Sequence, residues 1–130
     1  MTEIAPSVFL GGDNDAQDIE KLLSIGIKYV CVLGKYTEHA HPARLFHQKF
    51  NVEDHQGFNL AAHFDDIYNY IDDCLDRNGK VLIHGQTNHG VASAIALMWL
   101  IKSEGFTYNK AWYHLRSLVP SANPNSGFVR

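Results

Sequence analysis

The stretch VLIHGQTNHGVASAIALMWL, residues 81–100, is the part of this chain that indicates its fold most clearly. Its first apolar residues predict the end of a buried strand over residues 80–83, and a short glycine-containing loop follows. Residues 91–102 are apolar nearly all round, which is typical of a central, buried helix. A tight loop between a strand and a helix gathers backbone N–H groups at one point, where the helix dipole adds about half a positive charge. This backbone arrangement favours the binding of an anion.

The loop has suitable backbone residues but few reactive side chains. Gly85, Asn88 and Gly90 belong to the residue types that accept a positive φ most readily. They fit a phosphate-binding nest, and they fit an ordinary turn equally well. The predicted ligand-binding segment consists of His84, Gly85, Gln86, Thr87, Asn88, His89, Gly90 and Val91.

Strands and helices alternate along the rest of the chain. Strands are predicted over residues 7–10, 27–33, 45–52 and 80–83. Helices are predicted from a cap at Asp13 or Asn14 to about residue 25, from about residue 60 to 77, over 91–102, and from a cap at Thr107 to about 119. Leu23 and Leu118 fall on the inward sides of their helices. The pattern predicts one α/β domain over residues 1–130, with a central, mostly parallel sheet of four to five strands flanked by helices. Ligands bind such sheets at the carboxyl ends of strands, where the loop after Ile83 lies.

Composition narrows the choice of partner. The 130 residues carry a formal net charge of −3, which disfavours nucleic acid and anionic membranes as partners. No segment is long and apolar enough to span a membrane, and the first residues do not resemble a secretory signal. Two cysteines do not form a disulfide framework, so we expect a cytoplasmic or nuclear setting.

The loop and its surroundings resemble the dual-specificity protein phosphatases, a branch of the cysteine-based tyrosine phosphatases. The family's loop reads His-Cys, five variable residues, Arg, then Ser or Thr. Here His84 is followed by Gly85, and Val91 and Ala92 stand at the last two positions. Further resemblance lies in SVFLGGDNDAQDIEKLLSIGIKYVCVL, in FNVEDHQGFNLAAHFDDIYNYIDDCLDRNGKVLIH and in NPNSGFVR, so it covers essentially the whole chain. It implies that the family's last helix is cut short at Arg130.

The resemblance also implies what the loop lacks. The family's cysteine attacks phosphorus and its arginine clamps two phosphoryl oxygens, but Gly85 and Val91 can do neither. Asp54 matches the general-acid aspartate. The resemblance therefore predicts an inactive pseudophosphatase that binds a protein, with no cofactor and no metal. A phosphoprotein and a kinase-pathway component are the two candidate partners.

Two alternatives stay open. One is an active phosphatase with altered chemistry, through His89, Asp54 or a metal held by His39, His41 and His47. The other is a module that binds a small anion in the surviving loop. We expect Cys31 to be no substitute nucleophile, because a thiol in a buried strand keeps a high pKa.

Overall fold

The computed structural model describes residues 1–34, 44–52, 60–85, 90–120 and 122, apart from the side chains of Asp13 and Leu60. Five strands are present in this part of the chain: β1 (Thr2–Ala5), β2 (Val8–Gly11), β3 (Ile27–Leu33), β4 (Phe46–Phe50) and β5 (Lys80–His84). The helices are α1 (Asp13–Gln17), α2 (Ile19–Ile25), α3 (Phe64–Asp76), α4 (Val91–Lys102) and α5 (Tyr108–Leu118). A 3₁₀ turn, Leu60–His63, precedes α3.

The strands form one sheet in the order β1-β2-β5-β3-β4. The pairs β2–β5, β5–β3 and β3–β4 are parallel, and only β1 with β2 is antiparallel. The predicted α/β fold with a mostly parallel sheet of four to five strands is confirmed. β5 lies at the centre because its residues are apolar on both sides, as a parallel strand covered on both faces requires.

Each face of the sheet has its own hydrophobic core. The larger core lies under α3, α4 and α5 and contains Val81 and Ile83 of β5. The smaller core lies under α1 and α2 and contains Leu82. The alternation of successive side chains along β5 therefore joins the two cores through one strand.

The N-terminal region differs from the sequence prediction in two ways. The helix expected over residues 13–25 is broken at Asp18, whose φ of −85° and ψ of 78° are not helical. The Asp18 carboxylate accepts a hydrogen bond from the Lys21 N–H at 3.3 Å and so starts α2 as a cap. The first helix is capped at Gly12 rather than at Asp13 or Asn14. Asp side chains compete for backbone N–H groups, which explains why the helix divides at Asp18.

The predicted strand over residues 7–10 is the second arm of a hairpin. Its first arm, β1, was not predicted, because a strand of four residues is too short to show a clear alternation of apolar and polar side chains. Two apolar predictions were wrong, since Leu23 and Leu118 are each 40% exposed. Helix periodicity gives the direction of a side chain but not how far the neighbouring element extends over it.

No helix in the described part of the chain is long and apolar enough to cross a membrane. Residues 123–130, where the cut-short last helix was expected, lie outside the described residues.

Candidate functional site

β5 ends at the point where α4 begins, so the strand and the helix frame the loop from both sides. His84, the last residue of β5, is 2% exposed and lies between Gly11 of β2 and Val32 of β3. The next residue, Gly85, is also buried. The predicted location of the site, at the carboxyl end of the central strand, follows from this geometry.

The start of α4 keeps backbone donors for an anion. Gly90, the N-cap, has φ 59° and ψ −118°, a conformation that a side chain disfavours. The first helical hydrogen bond runs from the Ala94 N–H to the Gly90 carbonyl oxygen at 3.0 Å. The N–H groups of Val91 and Ala92 precede that bond and have no acceptor within the helix. The helix start can therefore offer partial positive charge to an anion.

Gly85 and Val91, at the two ends of the loop, carry neither a nucleophilic atom nor a charged group. Gly85 has no side chain at all. Val91 is 7% exposed and belongs to the larger hydrophobic core. At both positions where the resemblance places a reactive group, the described chain has hydrogen or methyl groups instead.

The other predicted site residues cannot be compared with the structure. Gln86, Thr87, Asn88 and His89 lie outside the described residues, and so does Asp54. The structure thus brings together His84, Gly85, Gly90 and Val91 as the frame of the loop. A general-acid role for Asp54 stays a prediction.

One polar residue beside the site was not singled out from the sequence. Ser93 on α4 is fully buried, two residues after Val91. Its hydroxyl is the only polar side chain in the run VASAIALMWL apart from the Trp99 indole N–H. That interruption of an apolar helix was the available signal.

Cys31 is not placed to act as a nucleophile. It lies in β3 with no exposed surface, and burial raises the pKa of its thiol, with a smaller contribution from Cys74 nearby. The neutral thiol is a poor nucleophile, because the thiolate is the reactive form. This agrees with the expectation from the sequence.

The proposed histidine metal site is not assembled within the described residues, which hold no group of three His, Cys, Asp or Glu side chains placed to bind a metal ion. His47 lies on β4, whereas His39 and His41 are outside the described ranges. A metal site at these three histidines therefore stays a prediction.

The sequence matches the model of a known domain family. Residues 8–130 match the family model described as "Dual specificity phosphatase, catalytic domain". The chain belongs to this family. The family prediction made from the loop and its flanking segments is thereby confirmed.

Relatives share the domain at low identity. The chain is 28% identical over 127 residues to dual specificity protein phosphatase 1 of Arabidopsis thaliana, covering 98% of this chain and 64% of that protein. It is 26% identical over 123 residues to a probable rhodanese domain-containing dual specificity protein phosphatase of Dictyostelium discoideum, covering 95% of this chain and 26% of that protein. The chain thus spans less than two thirds of the length of these relatives.

Solved structures share the fold. The human tyrosine phosphatase-like serine/threonine/tyrosine-interacting protein superposes with a TM-score of 0.93 at 24% identity, covering 99% of this chain and 90% of that chain. Human DUSP28 gives a TM-score of 0.93 at 23% identity, covering 98% of this chain and 90% of that chain. At this identity, the likeness extends to the fold alone.

Proposed function

We propose that this dual specificity phosphatase domain is catalytically inactive and acts by binding a protein partner in the cytoplasm or nucleus. The observation that carries the proposal is the pair of residues at the ends of the loop. Gly85 has no side chain to attack phosphorus, and Val91 buries its methyl groups in the core. A scaffold that keeps its fold without these groups is suited to contact rather than turnover.

The nucleophile and the arginine that are missing here would perform most of the steps in cleaving a phosphoester. No phospho-enzyme can form at Gly85, because a covalent intermediate needs a nucleophilic atom. A charge-assisted hydrogen bond contributes about 1.5–3 kcal/mol, and an arginine clamp makes two such bonds to the phosphoryl group. Direct attack by water is no substitute, because the hydrolysis of phosphate monoesters is among the slowest uncatalysed reactions known. Asp54, in its protonated carboxylic acid form, could donate a proton to a leaving group but could not replace the missing nucleophile or the missing arginine.

Preference for a phosphorylated partner is a separate part of the proposal. The N–H groups at the start of α4 supply a partial positive charge, and no arginine adds to it at position 91. We therefore infer that the partner is held mainly through surfaces outside the loop. Calorimetric titration with a phosphopeptide and its unphosphorylated form separates the two contributions, and equal affinities are expected.

The central experiment compares the pure, metal-stripped wild type with two variants, using an aryl phosphate as substrate. Wild type and Gly85→Cys are expected to show no turnover above the buffer rate, because the clamp is absent from both. Gly85→Cys combined with Val91→Arg supplies both groups and is expected to show some activity. Near-UV circular dichroism checks that each variant is folded. Robust turnover by the wild type would overturn the proposal.

The same assay tests the altered-chemistry alternative. If wild-type activity is found and disappears in Asp54→Asn or His89→Ala, the domain is an enzyme with a different mechanism. Divalent metal ions are added in a parallel series to test metal assistance.

The small-anion alternative is favoured by one observation, the position of the start of α4 directly after the loop, where the first N–H groups have no acceptor within the helix. A rise in melting temperature with inorganic phosphate or tungstate that is absent with chloride at equal ionic strength would support it. The expected result for the binding-module proposal is no anion-specific rise.

A further inference from the structure

The two edges of the sheet end differently. At the β1 edge, the pairing register is irregular between Glu3 and Ala5. Nε2 of His114, on α5, lies 2.8 Å from the Ile4 carbonyl oxygen, and it donates to that oxygen in the tautomer protonated there. Irregularities and covering elements of this kind prevent a sheet edge from pairing with another chain. The β1 edge is therefore closed.

The β4 edge has neither feature within the described residues. β4 pairs with β3 in continuous register from Tyr29↔Phe46 to Leu33↔Phe50, and it pairs with no other described strand. About half of the backbone N–H and C=O groups of such a strand point away from its neighbour. The Phe46 side chain is 68% exposed and stacks on the Tyr29 ring at 5.6 Å between centroids. An open edge and an exposed aromatic side chain therefore coincide on one short strand.

Helix α3 stands beside this edge on the same face of the sheet. The Tyr70 ring meets the Phe50 ring edge-on at 5.9 Å, and the Tyr70 hydroxyl donates to the Val30 carbonyl oxygen at 3.4 Å. Tyr70 thus marks the side of α3 that faces β4. Side chains three and four positions away on a helix lie on nearly the same side.

Two aspartates occupy those positions. Asp66 lies four residues before Tyr70 and Asp73 lies three residues after it, and both are exposed. Neither makes an ion pair with another described residue, whereas Asp65 on the opposite side pairs with Lys102 at 3.0 Å. Among the described residues, the flank of α3 that overlooks β4 therefore carries a net negative charge, with two carboxylates and one cation, Arg77 near the helix end.

We propose that the outer edge of β4 binds an extended, lysine- or arginine-rich segment of a partner protein by strand addition. The backbone of the segment pairs with β4. On the face of the segment that adjoins α3, one apolar side chain covers Phe46 and the other side chains, which are basic, reach Asp66 and Asp73. Main-chain hydrogen bonds supply affinity in this binding mode, and the flanking side chains supply specificity. The segment would extend the sheet to six strands.

A second copy of the chain fits this edge less well. An antiparallel β4–β4 pair related by a two-fold axis would place both α3 helices on the same face of the joined sheet. Their aspartate-bearing flanks would then lie next to each other, and like charges in contact oppose association. The net charge of −3 on each chain adds to this repulsion.

This proposal does not depend on the absence of catalysis, because β4 and the loop after β5 are separate parts of the sheet. An active phosphatase could use the same edge to hold a substrate protein. The aryl phosphate assay decides the question of turnover, and the peptide experiment below decides the question of the edge. The proposal of inactivity and the proposal of strand addition can therefore be refuted independently.

The probe is a blocked peptide about seven residues long, which is the length of an ordinary strand. One valine and three lysines occupy its alternate positions, so that they share one face, and threonine fills the positions between them. Backbone amide NMR shifts of the full chain are followed during titration. The expected shifts cluster at residues 46–50 and at the Asp66 and Asp73 positions. Two control peptides are expected to cause no such shifts: one with glutamate in place of lysine, and one with a central proline that cannot complete the ladder.

Matched charge variants test the role of α3. Asp66→Lys/Asp73→Lys is expected to weaken binding of the lysine peptide by roughly tenfold or more, since two favourable charges become repulsive. Glu20→Lys/Glu104→Lys makes the same change in net charge at exposed positions elsewhere, and it is expected to weaken binding by no more than about twofold. Phe46→Thr keeps a good strand former while it removes the exposed ring, and it is expected to weaken binding as well.

Three results would overturn the proposal. One is the absence of shifts at residues 46–50 with millimolar lysine peptide. Another is an equal loss of binding in the two double-lysine variants, which would indicate a general charge effect. The third is a dimer in sedimentation that Phe46→Thr dissociates, because the edge would then serve a second copy of the chain.

Discussion

Helices α3 and α4 pack on the same face of the sheet but have opposite characters. α4 buries ten consecutive residues, Val91–Leu100, and has almost no polar side. α3 buries Ile67, Ile71 and Cys74 and presents a row of aspartates to solvent. From this difference we infer that α4 is held by packing on every side, whereas α3 has an outer surface that can be changed without loss of the fold. Substitutions should therefore affect stability in α4 and surface contacts in α3.

Trp99 should give the largest effect. It is 1% exposed, packs against Tyr68 at 5.0 Å between ring centroids, and its indole N–H has no hydrogen-bond partner within the described residues. Trp99→Ala is expected to lower the free energy of unfolding by about 3–5 kcal/mol, measured by urea denaturation. Trp99→Phe should lower it by only about 1 kcal/mol, because it keeps a ring and breaks no hydrogen bond. Equal losses in the two variants would contradict this account of α4.

Alkaline pH should give the next largest loss of stability, through two groups that lie between α3 and the sheet, Cys31 of β3 and Tyr70 of α3. Burial raises the pKa of the Cys31 thiol above its ordinary value of 9.0 and the pKa of the Tyr70 hydroxyl above 10.0, with smaller contributions from Cys74 in both cases. The unfolded chain releases these protons first, so the stability that depends on them is complete below about pH 9. Above that pH, Cys31 lowers the stability by about 1.4 kcal/mol per pH unit, and above about pH 10 the partly exposed Tyr70 adds a smaller loss.

At pH 10.5, Cys31 alone should account for a loss of about 2 kcal/mol relative to pH 8. Urea denaturation at the two pH values measures this loss. Cys31→Ala removes the thiol, so the variant should start from a lower stability but lose about 2 kcal/mol less over the same interval. Parallel pH dependences in the variant and the wild type would show that the thiol does not contribute.

Ile71 and Asp76 test the two sides of α3 directly. Ile71 is fully buried, and Ile71→Val should cost about 1 kcal/mol through the loss of one methylene group. Asp76 is exposed, and Asp76→Ala should change the free energy of unfolding by less than about 0.5 kcal/mol. Thermal unfolding of both variants is the measurement. A larger effect at Asp76 than at Ile71 would reverse the assignment of the two sides.

The ion pair that links the two helices should give the smallest effect. Lys102 Nζ lies 3.0 Å from an Asp65 carboxylate oxygen, and both side chains are largely open to solvent. Lys102→Ala is expected to lower stability by about 0.5 kcal/mol or less, with a smaller difference at 1 M salt. Lys102 also lies 5.3 Å from the centre of the Tyr68 ring, so Asp65→Ala serves as the control that leaves this contact in place. A loss above 1 kcal/mol in either variant would make the link structural.

The sequence predicted the elements that periodicity and caps define clearly. The strand over residues 27–33, the helix over 91–102 and the cap at Thr107 are confirmed, the last by its hydroxyl oxygen accepting from the Lys110 N–H at 3.2 Å. The break at Asp18 and the strand β1 were missed, because a side chain competing for backbone donors and a four-residue arm leave little pattern in sequence.

The elements on either side of the candidate loop, β5 and α4, were predicted, whereas the roles of the loop residues and of Asp54 stay predictions. A strand, a glycine-containing loop and an apolar helix specify where the loop lies, and the likeness to a known family adds which groups it lacks. The open edge at β4 could not be predicted, because the order of strands in a sheet depends on contacts between distant residues. Phe46 looks like any alternating strand residue until β4 is known to be the outermost strand.

The central place of β5 has a consequence for how the molecule is assembled. The strands on either side of it, β2 and β3, are hydrogen-bonded to β5 and not to each other, yet both are made more than forty residues earlier in synthesis. Until residues 80–84 leave the ribosome, the chain lacks the strand that joins the pairs β1–β2 and β3–β4 into one sheet. Closure of the sheet therefore depends on long-range contacts, which makes folding slow and leaves the growing chain in need of protection from aggregation.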